Sequence, residues 1–246
     1  ENIQPTTAAR IKNFIPALFY LGAILVVVAL ARPQCGLGER NVFGAGISIA
    51  MCIDRSGSMA ALDFMESERR LDRLQAVKKV FKEFVVGSDD FPGRPNDLIS
   101  LISFGGFIDA KSPLTLDHTS LLELLDSIET PRPVTDAIGR PIRTAVIDEE
   151  SGTAIGDALA TAVDRLKESP TKTKIVVLLS DGAQTTGALS PEQGIKVAKA
   201  YGVKVYTIGV GSNGPVPFPI YGRDGEVQGY SMQDLKFDDS TLQTIA

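Results

Sequence analysis

Residues Ile47–Met59 read ISIAMCIDRSGSM. From Ile47 to Ile53 every residue is apolar or small, with Ile at 47, 49 and 53. Such a run is too short for a stable helix and rich in β-branched residues, so it reads as a strand buried on both faces. It ends in Asp54, followed at alternate positions by the hydroxyls of Ser56 and Ser58 around Gly57. Asp-x-Ser-x-Ser at a strand end gathers oxygen donors of which only one is charged. Hard divalent cations suit that set, because they bind oxygen and keep part of their water shell. The same residues also suit a plain strand-to-helix turn, with Ser56 or Ser58 capping the helix and Asp54 in the turn.

The rest of the chain supplies the alternation that a sheet around such a strand needs. Leu71, Leu74, Val77, Phe81 and Phe84 mark a helix over 68–86, with its charged residues on the solvated face and Gly87 as C-terminal cap. Apolar strands follow at 98–104 and 107–114. Asp117 caps a helix over 118–129, which places His118 at the surface in its first turn. Residues 130–151 hold Pro131, Pro133, Gly139, Pro141 and the acidic run Asp148–Glu150, and read as an irregular surface excursion. Ile155, Leu159, Ala162, Val163 and Leu166 form another helical stripe, with Thr153 at its start. A second fully buried strand, IVVLL at 175–179, ends in Ser180-Asp181-Gly182. Pro191 opens a helix through Tyr201, a strand covers 203–210, and the Pro- and Gly-rich residues 212–232 read as a loop.

Strands alternating with helices predict an α/β fold: a doubly wound, mostly parallel central sheet with helices on both faces. Ligands of such sheets bind beyond the carboxyl ends of the strands, where the strand order reverses. Asp54 and Asp181 each follow an apolar strand. If the two strands are neighbours, the carboxylates meet at one crevice, with Thr153 entering from a loop. The plainer alternatives are Thr153 as a helix N-cap and Asp181 as a turn residue before Gly182.

Composition narrows the function. The 246 residues carry a net charge of -5, which argues against nucleic acid as a partner, since phosphate binding needs a basic face. Two cysteines and one histidine exclude a disulfide framework and His-rich zinc sites. Cys52 lies in the apolar strand and reads as a buried hydrophobe. Residues 1–13 form a polar flank. Phe14–Ala31 is then free of charge and, at ~1.5 Å per residue, long enough as a helix to cross a bilayer. A transmembrane helix over 14–31 is the reading preferred to a signal peptide cleaved after Ala29-Leu30-Ala31 or a core helix. A linker over 32–42 leads into a domain over 43–246. The start at Glu1 and the stop within TLQTIA read as a fragment of a longer polypeptide.

DRSGSM at 54–59, GTAIGDAL at 152–159 and LLSDG at 178–182 resemble the three pieces of the metal-ion-dependent adhesion site of von Willebrand factor A domains. That resemblance implies Mg²⁺, with Mn²⁺ or Ca²⁺ as substitutes. Ser56, Ser58 and Thr153 would offer hydroxyls, and Asp54 and Asp181 would hold the ion largely through water. It further implies a protein-binding module rather than an enzyme, whose ion captures an Asp or Glu of a partner. VALARPQ at 28–34, SPLTLD at 112–117 and VYTIGVGS at 205–212 are similar to bacterial membrane-anchored Bat (aerotolerance) proteins. This second likeness implies the inner membrane and partners among MoxR-type AAA+ ATPases and other membrane proteins with von Willebrand factor A or TPR domains; the basic residues flanking the span on both sides leave the side the domain faces open, with the periplasmic side preferred. The chain departs from that pattern in its longer excursion at 130–151 and in Arg55 inside the metal loop. Two rival functions are a scaffold with an idle metal site, binding through 130–151 or the transmembrane helix, and a metal-dependent phosphotransferase with Asp54 as nucleophile.

Overall fold

Residues 7–30, 46–67, 69–89, 91–132, 134–135, 141–142, 145–222, 226–235 and 237–246 are described by the computed structural model. The linker expected at 32–42, Cys35 within it, and the first residues of the polar flank lie outside them. Contacts along the chain divide it into two units, residues 1–43 and 44–246.

The first unit holds one helix, α1 (Thr7–Leu30). It starts well before the charge-free segment, so Pro16 falls inside the helix instead of in its first turn. Among the described residues no helix is long and apolar enough to cross a membrane. The side chains of Phe14, Ile15 and Ala17, and residue 31, belong to the expected span and lie outside that description.

The second unit is built on β1 (Ser48–Asp54), every residue of which is buried. A 3-10 turn (Gly57–Ala60) and a short hairpin, β2 (Phe64–Glu66) and β3 (Arg69–Leu71), lead to α2 (Arg73–Val86). Next come β4 (Leu98–Phe104), β5 (Ile108–Thr115), α3 (His118–Asp126), the two-residue strands β6 (Val134–Thr135) and β7 (Pro141–Ile142), and α4 (Ala145–Glu150). The chain continues through α5 (Ile155–Lys167), β8 (Lys174–Ser180), α6 (Pro191–Ala200), β9 (Lys204–Gly209), β10 (Gly214–Tyr221), β11 (Val227–Leu235) and α7 (Asp239–Ile245).

The main sheet has the order β5-β4-β1-β8-β9. All its pairs are parallel except β4–β5, which the tight connection at Gly105–Phe107 turns antiparallel. Side chains of a strand alternate between faces. Ile49, Met51 and Ile53 therefore pack with Leu74, Val77 and Phe81 of α2 and Leu121 and Leu125 of α3. Ala50 and Cys52 pack on the other face with Ile155, Ala158 and Leu159 of α5. Burying an Ile or Leu side chain contributes about 1.5–3 kcal/mol, so this two-sided burial makes β1 the fixed reference for the loops at its end.

The structure corrects three local expectations. The helix expected over 68–86 begins only at Arg73. Asp72 stops it from starting earlier by acting as N-cap, its carboxylate accepting the Gln75 N–H at 2.6 Å. The loop expected over 212–232 is largely the antiparallel ribbon β10–β11. Pro215, Pro217 and Pro219 occupy alternate positions of β10, and the Pro217 carbonyl accepts the Leu62 N–H at 2.9 Å outside the ribbon. By the same alternation these prolines turn their backbone away from β11, so their missing N–H groups remove no rung of the ladder. The excursion at 130–151 contains β6, β7 and α4 among its described residues, so it is not wholly irregular.

Candidate metal centre

β1 and β8 are neighbours, with Ile53 opposite Leu179. From β1 the chain goes to β4 on one side and to β8 on the other, so the strand order reverses between β1 and β8. Asp54 and Ser180-Asp181 thus leave the sheet side by side.

Asp54 is fully buried and held by both oxygens. Its Oδ1 accepts the Ser56 N–H at 2.8 Å, and its Oδ2 accepts the Ser180 hydroxyl at 2.5 Å. The Oγ atoms of Ser56 and Ser58 lie 3.1 Å apart. The 3-10 turn fixes them: Met59 N–H reaches Ser56 O at 3.0 Å, and Met59 itself is buried in the core.

Thr153 lies in the loop that meets this turn through Ser151. Gly57 N–H donates to Ser151 O at 3.1 Å, and Ala154 N–H donates to Gly105 O at 2.9 Å. Thr153 is buried, with its N–H on Thr185 Oγ1 and its carbonyl accepting the N–H groups of Thr185 and Thr186. The N-cap of α5 is Ala154, so Thr153 is not a helix cap; the Gly156 N–H is met by Gln184 Oε1 at 3.0 Å.

Asp181 is also buried. Its Oδ2 accepts from Arg73 Nη1 at 3.1 Å, while its Oδ1 has no hydrogen-bond partner among the described residues. A buried carboxylate oxygen without a partner is costly and calls for a cation or water. Burial, then the charge of Asp181, push the Asp54 carboxyl up to about 7, against the hydrogen bonds from Ser180 and Ser56 that favour its ionised form. A divalent cation held by these residues would favour their ionised forms, and hydroxyls near buried carboxylates form a donor set of the hard-oxygen kind. Among the described residues no group of three or more His, Cys, Asp or Glu side chains gathers, so a site here would rest on hydroxyls as much as on carboxylates.

The structure directly bonds Asp54, Ser56 and Ser58 together and joins Asp181 to them by charge and through Ser180, while the loop that carries Thr153 meets their turn through Ser151. Three participants escaped the sequence reading. Ser180 was visible only as part of a turn. Arg73 was counted with the solvated charges of its helix, yet it is fully buried and paired with Asp63 and Asp181. Asp63 sits in a stretch without periodicity. An arginine between Leu71 and Leu74 on a helix's apolar stripe was the available signal. Arg55 lines a small cleft with Asp109, Lys111 and Glu129, on the β5 side of β1 and not the β8 side. His118 is half-buried, with Nε2 3.0 Å from the Asp97 carbonyl, and takes no part.

A family model for the von Willebrand factor type A domain matches residues 48–217. An uncharacterised protein of Borreliella burgdorferi is 27% identical over 233 residues, which are 95% of this chain and 60% of that protein's length. The fold is similar to an aerotolerance-related membrane protein from Bacteroides fragilis, with a TM-score of 0.59 and 24% identity over 82% of this chain and 87% of that one. It is also similar to the conserved hypothetical protein BatB from Bacteroides thetaiotaomicron, with a TM-score of 0.58 and 23% identity over 82% of this chain and 85% of that one.

Proposed function

This chain belongs to the von Willebrand factor type A domain family, and on that premise we propose that it is a membrane-anchored binding module that holds Mg²⁺ and captures an acidic residue of a partner protein. The observation that supports this reading is the buried pair Asp54 and Asp181, with Ser56 and Ser58 bonded beside Asp54 and with Asp181 Oδ1 unpartnered among the described residues. Ser56, Ser58 and Thr153 would hold the ion by their hydroxyls, and Asp54 and Asp181 through water. The ion would supply an electrophilic position open to an Asp or Glu carboxylate. Mn²⁺ and Ca²⁺ are the expected competitors.

The chain's own residues do the rest. Ser180 and the Ser56 N–H orient Asp54, and the 3-10 turn keeps Ser56 and Ser58 adjacent. Ala60, at the end of that turn, borders a cleft of about 900 Å³ between the β2–β3 hairpin and the β10–β11 ribbon, also lined by Arg69, Arg70, Arg132, Tyr230 and Met232. Asp72 and Glu226 line the same cleft, so its charge is mixed, and Arg69 and Arg70 are the groups in it that suit an acidic segment flanking the captured carboxylate. The proposed anchor is the apolar segment 14–31, and the proposed partner is a MoxR-type AAA+ ATPase.

Titration of Mg²⁺ into the whole chain in detergent, followed by calorimetry, tests the site. Asp54→Ala is expected to abolish metal binding and partner capture while the circular dichroism of the native fold persists; unchanged metal affinity would falsify the assignment. Purification of the whole chain with and without EDTA tests the partner: the ATPase is expected to be retained only without chelator.

A further inference from the structure

We propose that Arg73 is a built-in counter-cation that sets the affinity of the neighbouring metal site, an inference that rests on the metal reading above. A fully buried guanidinium survives only when paired, and its pairing here is uneven. Asp63 takes most of it: Nε lies 3.2 and 3.0 Å from its two oxygens, and Nη2 lies 2.8 Å from Oδ2. Asp181 receives one bond, from Nη1 at 3.1 Å. Asp63 is itself pinned, since its Oδ2 accepts the Ser212 N–H at 3.0 Å and the Ser212 hydroxyl at 3.2 Å. The guanidinium cannot drift, because Gly211, at φ +133, packs against it: a Cβ there would stand 2.6 Å from Arg73 Cζ.

One cation is therefore shared between two fixed carboxylates. Asp63 absorbs most of its charge, and the remainder holds Asp181 by one oxygen and leaves the other open. Arg73 and a metal ion compete for the charge of Asp181, so Arg73 keeps that carboxylate from collapsing onto the ion. The sign of each perturbation follows. Arg73→Gln keeps an N–H donor and removes the positive charge, so Mg²⁺ binds tighter, by about tenfold. Asp63→Asn removes the carboxylate that absorbs the guanidinium, so its full charge falls on Asp181 and Mg²⁺ binds about tenfold weaker. Arg73→Lys keeps the charge and stays near the native affinity.

The test is Mg²⁺ titration calorimetry on the whole native chain and the three variants, paired with the Mg²⁺-induced shift of each melting midpoint. Opposite changes in Arg73→Gln and Asp63→Asn, with the melting shift larger in the first and smaller in the second, establish the role. A purely structural arginine lowers every midpoint with and without metal and leaves the shift alone; that result overturns the inference while native binding keeps the metal site intact. Should Arg73→Gln fail to fold, Asp63→Asn and Arg73→Lys still decide: native affinity in Asp63→Asn sinks the proposal. Absence of Mg²⁺ binding by the native chain removes the site itself and this inference with it.

Discussion

Cys52 and Asp54 stand two residues apart on β1, and burial pushes both toward their neutral forms. The Cys52 thiol, fully buried with Sγ 3.9 Å from the Ala158 carbonyl, is pushed up to about 12, so it stays protonated at any physiological pH. Since the thiolate is the reactive species, Cys52 is expected to resist iodoacetamide at pH 8 in the folded chain and to react once urea unfolds it, as read by mass spectrometry of its peptide. Labelling of Cys52 at the rate of a free thiol in the native protein would contradict the burial. At this scale the sequence was informative where chemistry sits at fixed spacing: Asp54, Ser56 and Ser58 are close because two-residue steps keep them close. Arg73 carried only the hint of its place on the apolar stripe, because its burial depends on Asp63 and on Asp181, a residue from the far half of the chain that only the folded sheet brings near. Charged residues are assigned to solvent by default, and only tertiary pairing overrides that.

At the scale of elements, α5 and the chain leading into α6 approach closely at a glycine. A Cβ on Gly156 would lie 2.3 Å from Leu189 O and 2.5 Å from Ser190 O, both backbone atoms that cannot swing aside. Gly→Ala inside an exposed helix normally stabilises by about 0.5–1 kcal/mol. Gly156→Ala is expected to reverse that sign and cost about 1–3 kcal/mol, as seen in a lower urea midpoint at unchanged slope. The elements read best from sequence were the apolar strands β1, β4 and β8, whose composition admits few alternatives. The start of α2 was misplaced because the apolar stripe extends back to Leu71, which belongs to β3. β10 was taken for a loop because proline signals one; its prolines are tolerated as they fall only on outward-facing positions. The antiparallel turn of β5 has no periodicity signal of its own.

For the whole molecule, the proposed metal would be a ligand of the folded state only, because its proposed ligands come from three segments, 54–58, 153 and 181, that are separated in the unfolded chain. Mg²⁺ at one hundred times its Kd is expected to add about 2.7 kcal/mol of stability, raising the melting midpoint by roughly 5–10 °C over the value in EDTA. Equal midpoints in saturating Mg²⁺ and in EDTA would argue that no such ion is held. The fold class, a mostly parallel sheet between helices, was accessible from the sequence because α/β alternation leaves few arrangements open, whereas the strand order that puts β8 beside β1 was only a condition of that reading. What it left undetermined, above all the ribbon beside the site, depends on backbone pairing between segments that carry no shared pattern. The alternating prolines of that ribbon have a consequence for how copies of the chain meet one another. A protruding strand with a free rim ordinarily offers a template on which a neighbour's backbone can stack, the first step toward aggregation. Along β10 that rim lacks amide hydrogens at Pro215, Pro217 and Pro219, and the Pro217 carbonyl is already taken by the Leu62 N–H, so an approaching strand finds more than half of its rungs absent at this edge.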